Sequence, residues 1–213
     1  MPLSHIKVRR KPQQSRARMT QDALIESFVR LLHEKDSTEI TIREITDIAG
    51  VGLGTFYEYF SKKEDLIALT IHQYVKGNAN NLKQQATLWM TNANPSPINK
   101  EQLHTFIEYL LQIQISNIQS EQKIWAKLFL LERQISSPEA YQKHYELMIQ
   151  SWTQALSCFI HTTDPHLSLN IHRISYGFIS QTLLVDPDFQ DWKVLYQDMI
   201  KIIPFFTTQT ATT

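Results

Sequence analysis

Apolar positions recur every three or four residues almost from end to end of the chain, and no stretch alternates with the period of two that a half-buried strand requires. The pattern predicts an all-α protein of about nine helices. Leu24, Phe28, Leu31 and Leu32, with Ala23 beside them, form the buried stripe of a first helix that begins between Ser15 and Arg18 and runs to about Glu34. Ile42, Ile45, Ile48 and Ala49 give one apolar face to a short helix from Ile42 to Ala49. Phe56 and Phe60 do the same for a second, from Leu53 to Phe60, with Gly50 to Gly52 as the turn between them. Thr41 is placed as the N-cap of the first short helix, and Glu44 three residues on completes a capping box. In the second short helix Thr55, Tyr57, Glu58 and Tyr59 are left pointing outward, an odd choice for a helix with no partner.

From Lys63 a longer helix carries Leu66, Ile67, Thr70, Ile71 and Tyr74 on one side. Gly77 to Asn81 predicts a kink or break in it, because Gly and Asn are poor helix formers, and Leu82 to Met90 resumes it. Asn92 to Pro97 is a loop with two prolines and two asparagines. Helices follow from about Lys100 to Ser116 and from Ile124 to Ile135, the latter apolar on most of its circumference. Ser137-Pro138 stops that helix and starts a long one reaching about His161. A loop from Thr162 to Pro165, a helix from Leu169 to Leu184, and a last helix bearing Trp192, Leu195, Tyr196, Met199 and Ile203 complete the pattern. The tail from Thr207 to Thr213 has nothing to bury and is expected to be disordered.

Two short helices joined by a glycine-bearing turn make a helix-turn-helix, whose second helix can enter a DNA major groove. Thr41, Arg43, Ile45, Ala49, Gly50, Val51, Gly54, Thr55, Tyr57, Tyr59, Phe60, Lys63, Glu64 and Leu66 stand in the register of the tetracycline-repressor-like (TetR) transcriptional regulators. Over roughly residues 17 to 75 the chain resembles that family. It departs at Gly52, where the family often has a Ser or Thr cap; glycine there costs only about a few tenths of a kcal/mol. The resemblance implies a three-helix DNA-binding unit followed by a carboxy-terminal helical bundle that binds a small effector and dimerises through its last two helices. It implies a mechanism as well, in which the bound effector tilts the helix from Lys63, changes the spacing of the two recognition helices and releases the operator. The expected organisation is a basic arm over 1–16, the DNA-binding domain over 17–64, the ligand-binding and dimerisation domain over 65–206, and the tail over 207–213.

Composition is that of an ordinary globular protein, with 42% hydrophobic and 20% charged residues in 213. No apolar run approaches the roughly 18 residues of a membrane span, and no secretory leader is visible, so a cytoplasmic protein without membrane partners is expected. The formal net charge is zero, yet residues 1 to 18 hold Lys7, Arg9, Arg10, Lys11, Arg16 and Arg18 with no acid among them, a local patch suited to phosphates. The one cysteine, Cys158, excludes an internal disulfide and a cysteine-based zinc finger. His161, His166 and His172 lack the i, i+4 spacing of a helical ligand pair, and no nucleophile motif or phosphate-cradling loop is present, so no metal, cofactor or enzymatic activity is expected.

Thr41, Arg43, Thr55, Tyr59 and Lys63 are the candidates for phosphate contacts, while Leu53, Gly54, Tyr57 and Glu58 are those for base edges, where Glu can accept from cytosine N4 and Leu or Tyr can meet a thymine methyl. Trp125, Phe129, Arg133, Tyr141, His144, Tyr145 and Trp152 combine apolar walls with a few polar groups and are candidate effector contacts, though each also suits simple core packing. Tyr176, Phe178, Trp192, Tyr196 and Met199 are the candidate dimer interface. The function expected is that of a dimeric repressor on a near-palindromic operator, with duplex DNA, a second copy and an unidentified small effector as partners. The alternative is an architectural or partner-binding DNA-binding protein of the same fold with no effector.

Overall fold

The computed structural model describes residues 15–93, 100–157, 159 and 166–207. Of the basic arm expected over 1–16, residues 1–14 lie outside the described residues, as do the loop at Pro95 and Pro97, Cys158, the loop from Thr162 to Pro165 and the tail beyond Thr207; residues 15 and 16 belong to the first helix. Among those described there are nine helices and no strand: α1 (Ser15–Glu34), α2 (Ile42–Ala49), α3 (Leu53–Tyr59), α4 (Lys63–Ala93), α5 (Lys100–Ser120), α6 (Gln122–Ile135), α7 (Pro138–Ala155), α8 (Leu167–Val185) and α9 (Trp192–Thr207). None is long and apolar enough to cross a membrane.

The chain divides into two compact units. The amino-terminal unit takes the described residues through Tyr74 together with Lys127–Tyr141; the carboxy-terminal unit takes Val75–Ala126 and the described residues from Gln142 on. Where the sequence pattern puts a boundary after residue 64, the first unit thus runs ten residues further and includes most of α6.

In the amino-terminal unit Leu24, Phe28 and Leu32 of α1 are fully buried with Ile45, Phe56 and Phe60, so the stripe of α1 and the apolar faces of α2 and α3 share one core. The face expected for α2 needs one correction, because Ile48 is 41% exposed while Thr46 is buried. At 100° per residue, positions 42, 45, 46 and 49 cluster on one side, and position 48 falls roughly 110° from their centre. Thr46 tolerates the core because its hydroxyl donates to the Arg43 carbonyl of its own helix (2.9 Å). Gly50 closes α2 at φ +67°, the left-handed region that suits glycine, and its N–H reaches the Asp47 and Thr46 carbonyls.

The carboxy-terminal unit departs from expectation twice. α4 runs unbroken through Gly77 to Asn81. Packing overrides the poor local propensity, which amounts to about 1 kcal/mol for a glycine: Ala79 and Leu82 are completely buried, and the Asn81 side-chain carbonyl accepts from the Asn117 amide of α5 (2.9 Å). α7, expected to reach His161, ends at Ala155. There the backbone tightens, the Phe159 N–H donating to the Leu156 carbonyl three residues back (2.8 Å). Phe159 is carried inward by that turn and stacks on Phe106 of α5 at 5.3 Å, with Trp89 of α4 on Phe106 at 4.7 Å.

The capping box at Thr41 forms as the spacing predicts. The Glu44 carboxylate accepts from the Thr41 backbone N–H and hydroxyl, both at 2.8 Å, and from the Lys35 ammonium at 2.5 Å. These contacts, that of Lys35 foremost, hold the Glu44 carboxyl at about 2, below its usual 4.5. An acid whose folded pKa is depressed contributes stability above its unfolded pKa and loses it as pH falls through the folded value. The thermal midpoint of Glu44→Ala should therefore lie below that of the wild type by a constant amount above about pH 4.5, and the gap should close between there and about pH 2. A gap of equal size at both ends of that range would show that the carboxylate charge is not what secures the start of α2.

Candidate nucleic-acid interface

The short helix α3 has two unlike sides. Phe56 and Phe60 are fully buried, their rings 5.4 Å apart. Opposite them stand Leu53, 47% exposed, and Tyr57, 43% exposed, with Gly54 and Glu58 also exposed. Leu and Tyr on the open face of a seven-residue helix are not there for the core, and they cost solubility unless something covers them. Thr41 and Arg43 at the start of α2 are exposed too, and Thr55 is half-buried. The four candidates for base edges are thus all on the open side.

Two of the phosphate candidates are placed differently from expectation. Tyr59 does not point outward: it is 4% exposed and its ring lies 6.4 Å from that of Phe60. One residue before the C-cap, it follows Phe56 by three positions and so shares the buried side of the helix. Lys63, the first residue of α4, uses its ammonium within the unit, donating to the carbonyls of Ser37 (2.6 Å) and Ile40 (2.7 Å).

Lys127 is the residue that pattern reasoning missed. It reads in the sequence as a break in the apolar run IWAKLFLL. In the structure its ammonium donates to the carbonyls of Leu32 (2.7 Å) and Lys35 (3.0 Å) and lies 3.6 Å from the Asp36 carboxylate. The last carbonyls of a helix have no partner within it and carry partial negative charge, so a lysine here serves as a cap supplied from α6. A lone cation in an otherwise apolar stripe is the signal that could have found it. Lys35, Lys63 and Lys127 together hold the segment between α1 and α2.

The candidate effector contacts do not fall in one unit: Phe129, Arg133 and Tyr141 belong to the amino-terminal unit and Trp125, His144, Tyr145 and Trp152 to the carboxy-terminal one. His144 and Trp152 are buried on one stripe of α7. Tyr145 packs on His172 of α8 at 4.9 Å and accepts through its hydroxyl from Arg173 (3.0 Å). The Tyr176 ring lies 5.6 Å from that of His172, and burial lowers the His172 imidazole to about 4, so it is neutral at physiological pH. Of the candidate interface residues, Tyr176, Phe178 and Tyr196 keep part of their surface, the Tyr196 hydroxyl donating to the Glu108 carbonyl (3.4 Å). Met199 and Trp192 are instead intramolecular core; Met199 is fully buried, and the Trp192 indole donates to the Gln122 side chain (3.0 Å). Val185, Val194 and Phe205 are large apolar side chains exposed among the described residues of α8 and α9.

Lys127→Met keeps the aliphatic stem and removes the donor from two helix-end carbonyls. It should lower stability by about 1–2 kcal/mol, read as a shift of the urea midpoint at unchanged slope. An unmoved midpoint would mean that water serves those carbonyls equally well.

Residues 24–69 match the family model described as bacterial regulatory proteins, tetR family. None of the curated proteins matches the chain. Among solved structures, a TetR transcriptional regulator from Rhodococcus sp. RHA1 is 14% identical, with 92% of this chain and 100% of that one covered at a TM-score of 0.60. A protein assigned to the TetR family from Mesorhizobium loti is also 14% identical, over 91% and 97%, at 0.66. The transcriptional regulator FadR from Bacillus subtilis, solved in complex with stearoyl-CoA, is 15% identical over 87% and 96%, at 0.50. Residues 24–69 thus carry a tetR-family domain, and the chain shares the fold of these solved TetR structures.

Proposed function

We propose that the protein is a dimeric, sequence-specific transcriptional repressor that leaves a near-palindromic operator when a small effector binds its carboxy-terminal unit. The observation that carries the reading is the division of α3 into a buried side, Phe56, Tyr59 and Phe60, and an open side, Leu53, Gly54, Tyr57 and Glu58. A helix held so firmly on one side and left with Leu and Tyr on the other is suited to base edges in a major groove. Arg43 is free of the core and suits a phosphate. Lys63 supports the interface indirectly, by fixing the turn before α2, and Tyr59 by packing beneath α3.

Dimerisation through α8 and α9 is supported by the part-exposed Tyr176 and Phe178 and by the exposed Val185, Val194 and Phe205. A two-fold dimer would set two copies of α3 about 34–36 Å apart, one turn of duplex DNA. That FadR was solved in complex with stearoyl-CoA agrees with a small-molecule effector. α4 supplies residues to both units and begins at Lys63 on the Ser37 and Ile40 carbonyls, so a tilt of its first turns would disturb the seat of α2 and α3. For an effector to act it must prefer the conformation that does not bind DNA, since equal affinity for both would shift nothing.

Selection of bound sequences from random duplexes at fixed salt tests the reading. Recovery of a near-palindrome with half-sites one turn apart is expected. On that site Tyr57→Ala should weaken binding by about tenfold to a hundredfold with little change in salt dependence, and Arg43→Ala should reduce the log–log salt slope by about one. Salt-sensitive binding blind to sequence would favour the architectural alternative.

A further inference from the structure

The interior of the carboxy-terminal unit says something about what it can bind. Trp152 is completely buried, and its Nε1–H has no acceptor among the described residues. An indole N–H can only donate, and buried donors in native proteins are almost always paired, so one left over calls for a reason. Nothing on its own helix serves it. The other indole with a described bond in this unit, Trp192, does find its acceptor in Gln122.

A second observation concerns charge. The buried polar side chains among the described residues of this unit are all Gln, His or Ser; there is no Asp, Glu, Lys or Arg. The amino-terminal unit is different, burying both Asp65 and Glu132, the former accepting from the Ser61 N–H at 3.0 Å. A charged ligand drawn into an interior without a counter-ion loses its hydration and gets no ion pair in exchange, which is far more costly than a missing hydrogen bond. An uncharged molecule meets no such barrier.

We infer that the effector is an uncharged, largely apolar molecule bearing a carbonyl oxygen, a ketone, ester or amide, and that this oxygen takes the hydrogen bond of Trp152 Nε1–H. The inference rests on the effector reading above and narrows it to a chemical class. The indole fixes the position of the oxygen, and the apolar remainder is held by burial alone. A carboxylate or an ammonium on the same skeleton is rejected by the missing counter-ion, and a plain hydrocarbon leaves the donor unpaired.

The test is calorimetric titration of the full chain, with and without its operator, against a panel in which linear, aromatic and fused-ring skeletons each carry a ketone or ester, a carboxylate, an ammonium, or no polar group. Carbonyl members should bind the wild type about tenfold more tightly than their hydrocarbon isosteres and release the operator, with the charged members weaker still. Trp152→Phe keeps an aromatic ring and removes the donor; it should lose that tenfold for carbonyl members and leave hydrocarbon binding unchanged. Should the variant fold poorly, the wild type decides alone, since the indole N–H resonance of Trp152 should move on addition of a carbonyl member and stay with its hydrocarbon isostere. Carbonyl binding unaffected by Trp152→Phe, or an unmoved resonance, overturns the inference. Charged members that bind best and release the operator overturn it while leaving the effector reading intact. Silence from the whole panel overturns both.

Discussion

The amino-terminal unit depends on cations meeting carbonyls between α1 and α2. The end of α1 presents carbonyl oxygens that its own hydrogen-bond ladder cannot satisfy, and the chain must turn there before Thr41 can cap α2. Lys127 takes the carbonyls of Leu32 and Lys35, Lys63 takes those of Ser37 and Ile40, and Lys35 reaches forward to Glu44 in the capping box. Three ammonium groups, from the end of α1, the start of α4 and the middle of α6, thereby set where α2 begins. Since α3 follows α2 after a three-residue turn through Gly50, the direction in which Leu53 and Tyr57 stand out is inherited from that arrangement.

Most of the fold was legible because helical periodicity survives wherever one side of a helix is buried. The ends of α1, α2 and α6 and the start of α7 follow from caps, glycine and proline, which act locally. What could not be read are the places where distant residues overrule local preference. Gly77 and Asn78 would weaken an isolated helix, but nothing near them in sequence announces that Asn117 meets Asn81 or that Ala79 is buried. The early end of α7 is of the same kind, because the residues after Ala155 continue the apolar spacing and it is Phe159 turning inward onto Phe106 that ends the helix.

The site divides along the same line. Leu53, Gly54, Tyr57 and Glu58 could be placed on the open side of α3 from spacing alone. Tyr59 and Lys63 could not, because both carry a polar tip on a long or bulky body and sequence spacing does not say which end the structure uses. In Tyr59 it is the ring, set against Phe60; in Lys63 it is the ammonium, turned back onto the chain. The bundle residues were the least legible. Aromatic side chains suit a core, a pocket and an interface alike, and what separates Trp152 from Trp192 is only whether the indole N–H finds an acceptor.

The two units differ in whether they bury charged side chains among their described residues, and ionic strength bears on that difference. Phosphate attraction weakens as counter-ions accumulate, whereas the half-buried pair of Lys35 and Glu44 is screened much less. Salt would therefore act on the proposed DNA surface of the amino-terminal unit more than on the joint that aims α3. The interior of the carboxy-terminal unit, with no formal charge among its described buried residues, is indifferent to that screening. On the proposed function, a change in ionic strength would thus retune binding to DNA and leave the binding of an uncharged ligand as it was.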